Sequence, residues 1–84
     1  DTICAGAISD ALIETGDYTS VEDSSIAAKY LYQSAKDNYM GYLKSSSHRR
    51  RLRNLNLNKD VKYCLTPNTS KAIPILRDGK LYNL

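Results

Sequence analysis

The sequence predicts a mainly helical chain that ends in a β-hairpin and leaves apolar surface for partners it does not contain. Three observations carry this. Apolar residues recur at i, i+3, i+4 spacing through much of residues 1–65, the period of amphipathic helices. Two short apolar runs around Asp78-Gly79 read as a hairpin. The third is a conflict of size: a lone hairpin is marginal in water, and a greasy helix stands at residues 1–16 with nothing ahead of it to pack on. The expectation is one piece of a larger protein.

The elements follow in order. Helix is expected over about residues 2–15, where Ile3, Cys4, Ala7, Ile8, Ala11 and Leu12 form the apolar stripe. Asp1 or Thr2 can cap its start, and Gly16 suits the left-handed residue that ends it. Gly6 costs such a helix about 1 kcal/mol relative to alanine, which is reasonable where another backbone or a ligand comes close. After Asp17-Tyr18-Thr19-Ser20, the pairs Ser20/Asp23 and Thr19/Glu22 have capping-box spacing. Helix is next expected over about residues 22–45, with Ile26, Ala27, Tyr30, Leu31, Ser34 and Ala35 on one side and a kink or break at Asp37-Asn38. Ser45-Ser46-Ser47 offers caps for a helix over about residues 47–54, and Asn58 for one over about residues 58–65 that Pro67-Asn68 ends. Strands are expected over about residues 72–76 and 80–83, with Pro74 at an edge or a strand start.

Composition narrows the class. The 84 residues suffice for one small domain, and chains this short bury only about 60% of the surface they expose when unfolded. All seven aromatics are tyrosine, which keeps a polar end near water. The net charge of +3 falls short of what makes nucleic-acid binding the default, and the arginines lack interleaved aromatics or a known module. No stretch approaches a membrane span, no signal peptide is visible, and no glycine-rich phosphate loop is present. Cys4 and Cys64 permit one disulfide, but on the apolar sides of predicted helices they read more simply as two reduced, buried thiols in a cytosolic protein. Two cysteines alone make no zinc site.

Three groups of residues could carry chemistry. At about 100° per residue, Leu52 and Leu55 share a face with His48 between them, Arg49 and Arg51 flank it, and Arg50 points away. The only histidine is therefore expected to point inward among arginines. Serine hydroxyls, a helix start and bidentate guanidinium donors suit a phosphate, sulfonate or carboxylate, and His48 could protonate a leaving oxygen. The plainer reading is a solvated basic helix with a core histidine, because charge runs usually face water. The carboxylates of Asp1, Asp10 and Glu14 are scattered, without the paired spacing of a Mg²⁺ site. Cys4 near a helix start could be a nucleophile, but its place in the apolar stripe favours packing.

These residues together resemble the C-terminal part of the 2-phosphosulfolactate phosphatase family, also called the ComB family. The likeness is carried by D-T-I-C-A-G-A-I at residues 1–8, by S-S-H-R-R-R-L at 46–52 with N-L-N-L-N-K-D-V-K-Y-C-L at 54–65, and by A-I-P-I-L-R-D-G-K-L at 72–81. This chain departs from the family at Arg49, where glycine is common, and at Asn56-Leu57, where Gly-Phe is common. The resemblance implies an α/β enzyme of roughly three times this length, its helices packed about a mixed sheet that the hairpin joins. It implies Mg²⁺-dependent hydrolysis of 2-phosphosulfolactate to 3-sulfolactate and phosphate in the cytoplasm, on the route to coenzyme M. A small phosphoester carrying three anionic groups calls for a cationic site. His48 would be its catalytic residue here, and Arg50, Arg51, Cys4 and Gly6 would bind substrate. The metal ligands and any nucleophile would lie in the missing N-terminal part of the same protein, and a homo-oligomer is compatible with this picture. The competing reading is a non-enzymatic helical binding module whose basic helix docks on an acidic partner; such a module would fold cooperatively alone and bind with strong salt dependence.

Overall fold

A computed structural model describes residues 1–84. Five helices precede one hairpin: α1 (Thr2–Glu14), α2 (Asp23–Ala35), α3 (Tyr39–Tyr42), α4 (Ser47–Asn54), α5 (Asn58–Cys64), β1 (Pro74–Arg77) and β2 (Lys80–Asn83). The helix expected over residues 22–45 is divided, and Asn38 divides it. Its side-chain oxygen accepts the Gly41 N–H at 2.9 Å, which satisfies a free amide at the start of α3 and makes residues 36–38 a true break. Ser46 does the same for α4, its hydroxyl accepting the Arg49 N–H at 3.4 Å.

Other caps differ from expectation. Asp1 holds the N-cap of α1 only through its backbone, where its carbonyl accepts the Ala5 N–H at 2.9 Å. Glu22 precedes α2 without a side-chain bond, so neither capping box forms. Asn58 is the first residue of α5 rather than its cap, because the chain turns straight out of α4 into it. That turn is a left-handed C-terminal motif: Leu57 N–H donates to the Leu52 carbonyl at 2.9 Å, and Asn56 N–H to the Arg53 carbonyl at 3.0 Å. Asn56 takes φ 59°, the conformation that glycine and asparagine tolerate and other residues resist. Asparagine at 56, where glycine is common in the resembled family, is a residue that accepts this conformation. Asn56→Val is expected to cost about 1–2 kcal/mol, and Asn56→Gly to cost nothing, as read by thermal unfolding.

The hairpin pairs Ile75 with Tyr82, Leu76 with Leu81 and Arg77 with Lys80. Asp78 (φ 49°) and Gly79 (φ 75°) both take positive φ, the turn that matches the twist of two antiparallel strands. A two-residue turn at Asp78-Gly79 forces the strand up to Arg77, one residue beyond the expected 76, and Pro74 starts it. Every residue of β2 is exposed, Leu81 by 72%, and neither strand packs extensively on a helix.

The one tight contact is between α1 and α2. Gly6, Ala28 and Ala35 are the three buried residues of the chain. A Cβ placed on Gly6 would run into the Ala28 carbonyl oxygen and lie 2.8 Å from Tyr32 Cβ. One turn along, Gln33 Nε2 donates to Asp10 Oδ1 at 2.8 Å. The backbones therefore meet along the line of Gly6 and Asp10, and the expected apolar stripe of α1 turns away from α2: Ile8 is 58% exposed, and Cys4 and Ala11 are exposed too. On α2 the inward residues are Ala28 and Ala35 with Tyr32 half-buried, while Ala27, Tyr30 and Ser34 of the expected face are exposed. Small residues allow the closest approach, and here that outweighed apolarity in choosing the face.

The chain exposes 7197 Å², where a compact monomer of its 9.4 kDa exposes roughly 5000 Å². Its radius of gyration is 15.1 Å, against about 12 Å for a compact chain of this length.

Candidate functional site

The basic segment is built by α4. Leu52 is half-buried, and Arg49, one turn earlier on nearly the same face, is half-buried with it. The Arg49 guanidinium donates to the Met40 carbonyl, so its long stem covers apolar surface while its head is satisfied. This contact corrects the expectation for His48. Arg49 takes the inward place, and His48 faces water with Arg50, Arg51 and Arg53. Leu55, expected to flank the histidine on an inner face, is 62% exposed at the helix end. The result is an imidazole and three unshielded guanidinium groups on one short helix. Free cations of this kind attract a multiply charged anion, and guanidinium groups can grip it bidentately.

The stripe of α1 forms something different. Ile3, Cys4, Ala7 and Ile8 wall an open groove of about 450 Å³ whose other side is Cys64 and Leu65 of α5 and its exit. Tyr39 closes one part of it and Asp1 is its sole charged residue. No residue of α4 lines this groove, so the structure does not bring Cys4 together with His48, Arg50 or Arg51. Gly6 is not on the groove either; the space beside it is taken by α2, which leaves no room there for a ligand. Both thiols are free and exposed, contrary to the buried positions expected for them. The sequence links Cys4 and Cys64 only as a possible disulfide, which is not formed. Sixty residues apart, they carry no local signal that they share one groove.

Burial, and then the neighbouring Tyr32, push the Tyr39 phenol above its ordinary value of 10.0. The folded state thus holds this proton more tightly than the unfolded chain does. The stabilising contribution is fully present below pH 10.0 and is lost as pH rises through the folded value. Alkaline unfolding followed by circular dichroism should show this slope, and Tyr39→Phe should flatten it.

A Mg²⁺ ion needs converging oxygen ligands. The chain has no group of three or more histidine, cysteine or acidic side chains placed to hold a metal, and the Asp10 carboxylate is engaged by Gln33. These residues do not fit a resident ion. No helix is long and apolar enough to cross a membrane.

Comparison with known proteins gives the family. The model of the 2-phosphosulpholactate phosphatase family matches residues 1–79. A probable 2-phosphosulfolactate phosphatase of a Cyanothece species is 38% identical over 79 residues, covering 89% of this chain and 32% of the relative. One from Microcystis aeruginosa is 38% identical over 82 residues, covering 96% of this chain and 34% of the relative. One from Caldanaerobacter subterraneus is 35% identical over 79 residues, with 94% and 32% covered. The chain belongs to the 2-phosphosulpholactate phosphatase family. It spans about a third of the length of the curated relatives it matches. No solved structure matches it.

Proposed function

We propose that this chain is the C-terminal third of a cytoplasmic phosphoric monoester hydrolase that cleaves 2-phosphosulfolactate to 3-sulfolactate and phosphate. The observation that carries the reading is the family match over residues 1–79. The chemistry agrees with the surface of α4. Hydrolysis breaks the ester P–O bond, adds a water oxygen to phosphorus and returns a proton to the leaving oxygen. His48 supplies that proton, and Arg50 and Arg51 bind the phosphate, sulfonate or carboxylate, where donors aimed at developing charge contribute most. Cys4 lies in the groove, apart from the α4 residues. Gly6 acts through packing against α2. Mg²⁺, together with the nucleophile, belongs to residues outside this chain. Two free thiols are in keeping with a reducing cytoplasm.

The test measures phosphate released from synthetic 2-phosphosulfolactate in Mg²⁺ buffer. The 84-residue chain alone is expected to release none. A chimera in which it replaces the matched third of the Microcystis aeruginosa relative is expected to release phosphate. Turnover by the isolated chain would refute the division of the site, and a folded chimera without turnover would refute the phosphatase reading.

A further inference from the structure

We propose that Cys4 and Cys64 form a redox clasp: a low-molecular-weight disulfide oxidises the two thiols to one intramolecular bond, which draws the end of α5 onto α1 and shuts the groove between them. The proposal goes beyond the phosphatase reading and uses none of its chemistry.

Placement is the first ground. Cys4 stands in the first turn of α1 and Cys64 is the last residue of α5, yet both side chains wall one groove of about 450 Å³. Sixty residues separate them in sequence, and closing so long a loop costs an unfolded chain entropy. The fold has already met that cost.

Availability is the second. Both thiols are free and exposed, so a reagent in solution reaches either. Cysteines that serve packing alone are buried and inert, and these are not buried. No group of three or more metal-ligating side chains claims them.

Freedom to close is the third. A disulfide needs Cα atoms about 4.4–6.8 Å apart, and the groove is open, so one wall must move. α1 is fixed along α2 by the contact of Gly6 with Ala28 and by the bond between Asp10 and Gln33. α5 packs extensively on α4 alone, and no helix or strand follows it until Pro74. α5 is therefore the wall that swings.

The chemistry is thiol–disulfide exchange. One cysteine thiolate attacks the donor disulfide, bonds to one of its sulfurs and releases the other as a thiolate. The second cysteine then attacks the protein sulfur of this mixed disulfide and releases the remaining half. Two protein thiols are oxidised, one donor disulfide is reduced to two thiols, and the two protons pass to the released thiolates. A reducing cytoplasm keeps such a pair as thiols, and the bonds that form there are usually transient and catalytic or redox-sensing.

The Microcystis aeruginosa chimera is equilibrated in glutathione buffers of rising disulfide content, quenched by alkylation and mapped by mass spectrometry. A peptide pair linked through Cys4 and Cys64 is expected as the main oxidised product, and dithiothreitol should return it to two thiols. The ratio of linked pair to glutathione adducts should exceed that of the same protein in guanidinium chloride by about tenfold or more, since the fold raises the effective concentration of one thiol at the other. The 84-residue chain carried through the same steps should form the same link. In Cys64→Ser the reaction should stop at a glutathione adduct on Cys4, and in Cys4→Ser at one on Cys64. Both positions are exposed, so both variants should keep the parent's melting. Amide exchange over residues 2–14 and 58–64 should slow in the oxidised form, because the bond opposes local opening. Adducts on both cysteines without the link overturn the proposal, as do thiols that stay unreacted or a link found only between molecules. A linked form whose amides exchange as fast as those of the reduced form overturns it too. Phosphate release is a separate readout: a chimera that forms the link without turnover removes only the phosphatase reading.

Discussion

Gly6→Ala is expected to separate α1 from α2. Alanine in a helix interior is favoured over glycine by about 1 kcal/mol, so propensity alone would make the variant more stable. Sterics oppose it and win. The added Cβ runs into the Ala28 carbonyl oxygen and stands 2.7 Å from its carbon, and both atoms belong to backbone that cannot rotate aside. Overpacking of this kind costs about 1–3 kcal/mol and occasionally more. The chain has little to offset that, because Gly6 and Ala28 are two of its three buried residues. Far-UV circular dichroism on heating the Microcystis aeruginosa chimera should show a midpoint lower by about 2–4 °C per kcal/mol. Gly41→Ala is the control. The atoms nearest its Cβ would belong to the Asn38 side chain, which can move at the cost of one cap, so a smaller loss is expected there. A Gly6→Ala chain that melts at or above the parent would show that the two helices are not held at this crossing.

Much of this architecture was legible because its signals are local. The Asp78-Gly79 turn set the hairpin, and Gly16 (φ 82°) ended α1 where expected. The serine run capped α4, and the Asp37-Asn38 break divided the long helix. Faces were harder to read. An apolar stripe says that a helix face suits a covering surface, without saying which, and the stripe of α1 lies away from α2 with Cys4, Ile8 and Ala11 exposed. α2 instead took the line of Gly6 and Asp10, where bulk is least. The same limit misplaced His48. Periodicity put it and Arg49 within about 60° of Leu52, and it is the carbonyl of Met40, nine residues before Arg49, that decides which of the two turns inward. Family membership was legible from motif order. Site geometry was not, since the thirds of a domain become neighbours only on folding.

His48→Gln in the folded chimera is expected to lower kcat by about 10²- to 10⁴-fold, the range in which a positioned proton donor acts. Glutamine keeps a hydrogen-bonding side chain of similar reach but cannot deliver a proton to the leaving oxygen, so kcat falls more than KM rises. A structural role is separable from this one. His48 is exposed at the first turn of α4, and exposed substitutions away from caps and cores shift stability by about 0.5 kcal/mol or less, so the thermal midpoint should stay put. Arg51→Ala should show the opposite pattern, a raised KM with a smaller change in kcat, if its guanidinium holds an anionic group equally in substrate and transition state. Arg49→Ala should behave differently from both: it severs the contact to Met40 and lowers the melting temperature before it touches the kinetics. If His48→Gln retains kcat within threefold of the parent while the protein stays folded, the proton comes from another residue. α4 is then a binding surface only, and the general acid of the proposed phosphatase lies elsewhere.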